Sequence, residues 1–261
     1  MEGAPVQRQG VWGVTGEAGA RRRLSALGFD RDAVETLVAH FADAERRGKV
    51  GHGFARAAWL ATLDVDPSAR PVLVESEEGF ERWDGHGALG YLVLEEIVRA
   101  TLADPPERAR VVVARRCFPT GALGYWVRRL VEGGLVAALT ATSPRRLAHP
   151  DGGPPLAGTN PLALGIPSSD GAPVVADVSM GAVTAGDVLV GRASEDQLVP
   201  FGGEQAYKAF ALALGLELVV RALAGPEHGA VLVVARPDHD PVPALRELAA
   251  GRRLPGSQET L

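Results

Sequence analysis

Apolar residues recur along this chain first at helical spacing and then in short unbroken runs. Val34, Leu37, Val38 and Phe41 stand at i, i+3, i+4 and i+7, which predicts a helix over residues 30–47 with Asp30 as its N-terminal cap. Gly48 closes that pattern, and Gly51-His52-Gly53 reads as a loop. Leu89, Leu92, Val93, Ile97 and Val98 predict a second amphipathic helix over 88–102. Leu123, Trp126, Val127, Leu130 and Val131 predict a third. The runs at 109–114, 135–142, 174–178 and 230–235 are rich in Val, Ala and Leu and short enough for buried strands. Residues 204–224 are apolar almost all round, which predicts a buried helix. Helices and strands interleave, so the class is α/β or α+β. The helical stretch 1–70 is expected to form an N-terminal lobe, 71–252 an α/β core, and 253–261 a mobile tail.

Composition narrows the function classes. Of 261 residues 46% are hydrophobic, and the net charge is −5, so a sizeable core is expected and a footprint for nucleic acid or an anionic membrane is not. No apolar run reaches the length of a membrane span, and residues 1–10 lack the pattern of a secretory leader. A single cysteine, Cys117, excludes an internal disulfide and fits a reducing, cytoplasmic compartment. Two of the 27 cationic residues are lysines, Lys49 and Lys208, and the rest are arginines. Where Arg is the default cation, each Lys invites a question.

The chain has no Gly-x-Gly-x-x-Gly between a strand and a helix, no Gly-Lys-Ser/Thr phosphate loop and no Gly-x-Ser-x-Gly elbow. It has no His-Glu-x-x-His or paired-cysteine motif, so no metal site is expected. His52 stands between two glycines just past a helix end. Imidazole suits proton transfer near neutral pH, and small neighbours would admit a substrate; an exposed loop histidine is the plain alternative. Arg56, one helical turn on, can grip a carboxylate through two parallel hydrogen bonds or simply sit in solvent.

Four segments, in order, carry a resemblance. They are Ala42-Asp43-Ala44-Glu45-Arg46-Arg47-Gly48 running into Gly51-His52-Gly53-Phe54-Ala55-Arg56, then Asp84-Gly85-His86-Gly87-Ala88-Leu89-Gly90. Gly158-Thr159-Asn160-Pro161-Leu162-Ala163 leads to Pro173-Val174-Val175-Ala176-Asp177, and Pro200-Phe201-Gly202-Gly203 precedes Lys208 and Glu217. Together they resemble the malate/L-lactate dehydrogenase-like oxidoreductases, a non-Rossmann family. The resemblance implies that family's α/β fold with a mixed sheet, NADPH or NADH as cofactor, a small carboxylate-bearing substrate and a homodimer. It implies catalytic roles for His52, Arg56 and Asp177, and cofactor contacts from Gly121, Thr159, Asn160, Pro161 and Lys208. For Thr159-Asn160-Pro161 an ordinary turn is the alternative. For Asp177 it is a turn cap, and for Lys208 a salt bridge to Glu204 or Glu217. His86 reads as a turn residue, and His40, His149, His228 and His239 as ordinary.

The chain also departs from the pattern. The Ser before the loop histidine is Gly51, and the segment 186–199 is shorter than its family counterpart. Where the family reads Asn-His-Phe-Gly, this chain reads Cys117-Phe118-Pro119-Thr120-Gly121, so a second histidine is missing. A ketone needs a proton donor at its oxygen during hydride transfer, whereas an iminium ion brings its own proton. The expected activity is therefore NAD(P)H-dependent reduction of a small 2-oxo acid or, preferably, a cyclic imino acid. The same fold turned to a non-redox isomerase or cyclase, and a non-catalytic binding subunit, are the competing readings.

Overall fold

A computed structural model describes residues 16–256 of the chain. In order, the chain forms helices α1 (Gly16–Ala26), α2 (Arg31–Arg46) and the short α3 (Ala55–Leu60). A hairpin of β1 (Val72–Glu77) and β2 (Phe80–Asp84) follows, then α4 (Gly90–Ala103), β3 (Ala109–Arg115), α5 (Leu123–Glu132) and β4 (Val136–Ala141). The remainder is β5 (Leu162–Ile166), β6 (Val174–Val178), α6 (Ala185–Leu189), α7 (Ala206–Ala224), β7 (Gly229–Ala235) and α8 (Val242–Ala249). The leader reading of residues 1–10 and, of the tail expected over 253–261, residues 257–261 lie outside the described residues. Within the described end, the Pro255 carbonyl accepts a hydrogen bond from Val175 N–H at 3.1 Å.

The strands make one mixed seven-stranded sheet, β1-β2-β3-β7-β4-β5-β6. Only β2 and β3 run parallel; every other neighbouring pair is antiparallel. Strand periodicity divides the core between the two faces. Val112, Ala114, Leu232 and Val234 join the main cluster with α4 and α5, while Val113 and Val231 face Val220 and Ala224 of α7. Leu24, Leu37 and Leu60 of α1–α3 belong to that same main cluster. The N-terminal helices are therefore continuous with the core of the sheet, and they bring the loop after α2 to its edge.

The helix predicted over 30–47 forms as α2, and the Asp30 side chain caps it by accepting from Ala33 N–H at 2.8 Å. The expectation for α7 needs correction. Ala209, Phe210, Ala213 and Val220 are buried, but Tyr207, Leu212, Leu218, Val219 and Leu223 are 42% to 59% exposed. Apolar content on every side of a helix does not say how many sides this chain itself covers.

Candidate active site

Past the end of α2, the chain turns tightly through Val50–His52 before α3, with His52 N–H bonded to the Lys49 carbonyl at 2.8 Å. A Cβ on Gly51 would lie 2.6 Å from the Gly186 carbonyl carbon, and one on Gly53 would collide with the Glu45 carboxylate. The glycines beside His52 therefore admit α6 and the end of α2, not a substrate as their sequence suggests. The same contact accounts for two departures together. The short segment 186–199 folds against the loop, and the residue it presses on has no side chain.

This turn forms one wall of a cleft of about 520 Å³. Lys49, His52 and Arg56 line it from the turn and α3, and Tyr91 from the start of α4. Gly121 and Ser143 line it from loops, with Thr159 and Pro161 ahead of β5 and Asp177 on β6. Arg56 is held in place by its Nε–H donating to the Gly51 carbonyl at 2.7 Å, with the guanidinium 4.6 Å from the centre of the Trp59 ring. It is 8% exposed and has no carboxylate ion pair among the described residues. A buried cation without a directly paired anion is costly; Asp187 acts on it through charge alone and is itself engaged by Thr184, so the guanidinium can take an anion from the cleft.

His52 is half-buried, and its Nδ1 is enclosed with no hydrogen-bond partner. Burial pushes its pKa well below the ordinary range, and the charges of Arg56, His40 and Lys49 push the same way. Deeper still, His40 accepts from Ala122 N–H at 3.0 Å through Nε2, and burial lowers its pKa to about 3. The Tyr91 ring lies 4.9 Å from that of His40, and its buried hydroxyl also has no partner. Gly121 closes this floor at φ +73°, where a Cβ would strike both His40 and Tyr91. His52 Nδ1 and the Tyr91 hydroxyl thus stand at the cleft without protein partners, with His40 Nδ1 unpartnered behind them, against the usual pattern of buried satisfaction.

Asp177 reaches the cleft, but its partner is Lys49, whose Nζ donates to Oδ2 at 2.6 Å, rather than His52. Thr159 lines the cleft, with its hydroxyl 3.3 Å from that of Ser143. Asn160, next along, turns the other way. At φ +24° its side chain points into the protein, donating to the Ala213 carbonyl at 2.9 Å and Glu217 Oε2 at 2.8 Å and accepting from Ser143 N–H at 3.0 Å. Burial raises the pKa of Glu217, but hydrogen bonds from Arg221, Asn160 and Gly158 outweigh it and hold the carboxylate below the ordinary range. Lys208 lies on the exposed side of α7 outside the cleft, 5.9 Å from the Tyr207 ring centre, and no ion pair to Glu204 or Glu217 forms.

Of the residues singled out in the sequence, the cleft brings together His52, Arg56, Gly121, Thr159, Pro161 and Asp177, and leaves out Asn160 and Lys208. Sequence reasoning missed Tyr91 and the placement of Lys49, although the rarity of lysine was a signal for the latter. His86 is a turn residue at φ 51°, its N–H bonded to Asp84 at 2.9 Å. Among the described residues no cluster of three metal-ligating side chains occurs, and no helix is long and apolar enough to cross a membrane.

Comparison with known proteins follows this geometry. Residues 16–198 match the family model described as malate/L-lactate dehydrogenase. A curated Delta(1)-pyrroline-2-carboxylate/Delta(1)-piperideine-2-carboxylate reductase of Pseudomonas aeruginosa is 33% identical over 177 residues, covering 64% of this chain and 51% of that protein. A (2R)-3-sulfolactate dehydrogenase (NADP(+)) of Chromohalobacter salexigens is 29% identical over 237 residues, 79% of this chain and 69% of its own. The matches to the reductases of P. aeruginosa and P. syringae pv. tomato thus span about half of those proteins' length. The crystal structure of the delta1-piperideine-2-carboxylate reductase from Pseudomonas syringae pvar. tomato superposes with a TM-score of 0.79 at 27% identity, covering 91% of this chain and 88% of that one.

Proposed function

This chain belongs to the malate/L-lactate dehydrogenase family, and from that premise we propose that it is an NAD(P)H-dependent reductase of a small cyclic imino acid or 2-oxo acid. The observation that carries the substrate class is Arg56, a buried guanidinium without a carboxylate partner that opens on the cleft beside His52. A substrate carboxylate supplies the missing anion and is oriented by the planar fork. The similar reductases are named for cyclic imino acids, which fits a cleft lined by Pro119 in the segment where a second histidine is expected.

The residues present fit a nicotinamide nucleotide. The cleft is within the range for a cofactor's reactive end together with a small acid. Thr159, Ser143 and Pro161 would hold the nucleotide from the sheet side, and Gly121 leaves room on the floor. When bound, the reduced nicotinamide supplies a hydride to the substrate carbon. Arg56 fixes the substrate acid, and His52 holds the reacting nitrogen or oxygen through a hydrogen bond from its ring. Burial keeps His52 neutral in the free protein, so its contribution is that hydrogen bond rather than a standing positive charge. A bound carboxylate also offsets Arg56, the second-largest influence depressing the imidazole. Enclosure of the site by α6 limits access of water.

The exposed apolar face of α7 supports a homodimer, since Leu212, Val219 and Leu223 follow one another at helical spacing beside the open Gly215. Lys208 belongs to that surface rather than to the cleft. A cytoplasmic setting fits the single buried cysteine. Titration of the protein with NADPH and with NADH, followed by nucleotide fluorescence, tests the cofactor assignment. Saturable binding of at least one is expected, and no binding of either would overturn it.

A further inference from the structure

Among the cations lining the cleft, Lys49 differs in kind from Arg56 and Arg146. A guanidinium keeps its proton under all ordinary conditions, whereas an ammonium can hand one over and take one back. In a chain that uses Arg almost everywhere, one of two lysines stands at the mouth of this cleft. Its Nζ is fixed by Asp177 Oδ2 at 2.6 Å, and its carbonyl accepts the His52 N–H at 2.8 Å, so loop and strand together hold it in the cleft wall, close enough for its charge to act on the imidazole. The side chain is 41% exposed, which leaves the ammonium open to solvent for reprotonation. The other proton-bearing groups are less suited. Burial disfavours a protonated His52, raises the pKa of the Tyr91 phenol and so weakens it as an acid, and the expected second histidine is absent.

We propose that Lys49, positioned by Asp177, is the acid that protonates the nitrogen of a cyclic imino acid bound between Arg56 and His52. The inference rests on the reductase reading above and names the proton source that reading lacks. In the step, the imine nitrogen takes a proton from Lys49 Nζ with its lone pair, giving an iminium ion and a neutral lysine. Hydride from the reduced nicotinamide then forms the new C–H bond. The C=N π pair becomes the lone pair of a secondary amine, the nicotinamide is left oxidised, and the lysine recovers a proton from solvent at the cleft mouth. Asp177 acts through Lys49 and is a positioning residue. A tether between the loop and β6 is the competing role for the pair.

Lys49→Arg separates the two roles, because it keeps the charge and the pairing with Asp177 but cannot donate. Wild type, Lys49→Arg and Lys49→Met are assayed on Δ1-pyrroline-2-carboxylate and on its N-methyl iminium analogue, which needs no proton. Nucleotide binding and thermal midpoint are measured in parallel. The expected result is that both variants reduce the imine about 10²-fold more slowly, the usual scale for lost acid catalysis. Both should reduce the N-methyl iminium within about threefold of wild type, and nucleotide affinity should stay within about twofold. Lys49→Arg equal to wild type on the imine, or either variant equally slow on both substrates, overturns the assignment while the reductase reading stands. Wild type inert on both substrates overturns the cyclic-imine part of the reductase reading, and this inference falls with it.

Discussion

Two buried polar clusters lie within this fold, and they differ in how completely their atoms are satisfied. Around Asn160, the side-chain amide and the Glu217 carboxylate bond to Ser143, Ala213, Gly158 and Arg221. Around Arg56, the guanidinium lacks a directly paired carboxylate, and His52 Nδ1, His40 Nδ1 and the Tyr91 hydroxyl lack any partner. Asn160 and Glu217, like His52 and Arg56, come from segments that resemble the family, so motif content alone does not separate the clusters. The difference teaches that a closed polar network specifies the fold, while an open one at a cleft has capacity left for a ligand.

Substitutions sharpen that contrast. The largest effect is expected from Asn160→Ala, which strands Ser143 N–H, the Ala213 carbonyl and Glu217 and puts Ala at a positive φ. A loss of about 3 kcal/mol is expected in urea unfolding. His52→Ala breaks no protein hydrogen bond of its side chain, so stability should stay within about 0.5 kcal/mol, while turnover falls about 10²-fold. A stable, inactive Asn160→Ala, or an unstable His52→Ala, would reverse the comparison. Arg56→Lys keeps the charge and loses the planar fork. About a tenfold rise in KM with a smaller change in kcat is expected from steady-state kinetics.

The two clusters should also fail at different acidities. His40 titrates near 6.5 when unfolded and at about 3 when folded, because burial disfavours its charged form. The unfolded state therefore binds the extra proton, and this stability is complete above pH 6.5 and lost as pH falls toward 3. The slope is at most about 1.4 kcal/mol per pH unit, and His52 adds to it in the same direction. Glu217, held below its ordinary 4.5, contributes stability that is present above that value and lost only as pH falls below it. Urea midpoints between pH 7 and 5 should fall for wild type and fall less for His40→Gln. Equal slopes would show that His40 is not held neutral.

Much of the scaffold was legible because its elements are long or strongly periodic. α2, α4 and α5 follow the 3.6-residue spacing, and β3, β4, β6 and β7 are short runs dominated by Val, Ala and Leu. The β1–β2 hairpin was missed because Glu75, Ser76 and Glu77 interrupt any alternation on an edge strand, and six-residue α3 is too short for a periodic signal. The site was legible at His52 and Arg56, where a glycine-flanked histidine precedes an arginine. It was not legible at Asn160, because only its left-handed backbone turns the amide away from the cleft beside Thr159. Tyr91 looks like one more apolar residue opening α4, and its orphaned hydroxyl follows from packing alone. Pairing of Lys49 with Asp177 spans 128 residues and depends on the sheet to bring the two together.

The central claim is that the open cluster is the working site of a reductase for small, carboxylate-bearing imines. Its most direct test is to measure nucleotide oxidation by the purified chain with Δ1-pyrroline-2-carboxylate, pyruvate and oxaloacetate side by side, each with NADPH and with NADH. The account predicts turnover with at least one nucleotide, fastest on the cyclic imino acid and sharply reduced by His52→Ala and by Arg56→Ala. Faster reduction of the plain 2-oxo acids would contradict the imine preference, and no oxidation of either nucleotide with any of the three would contradict the account itself.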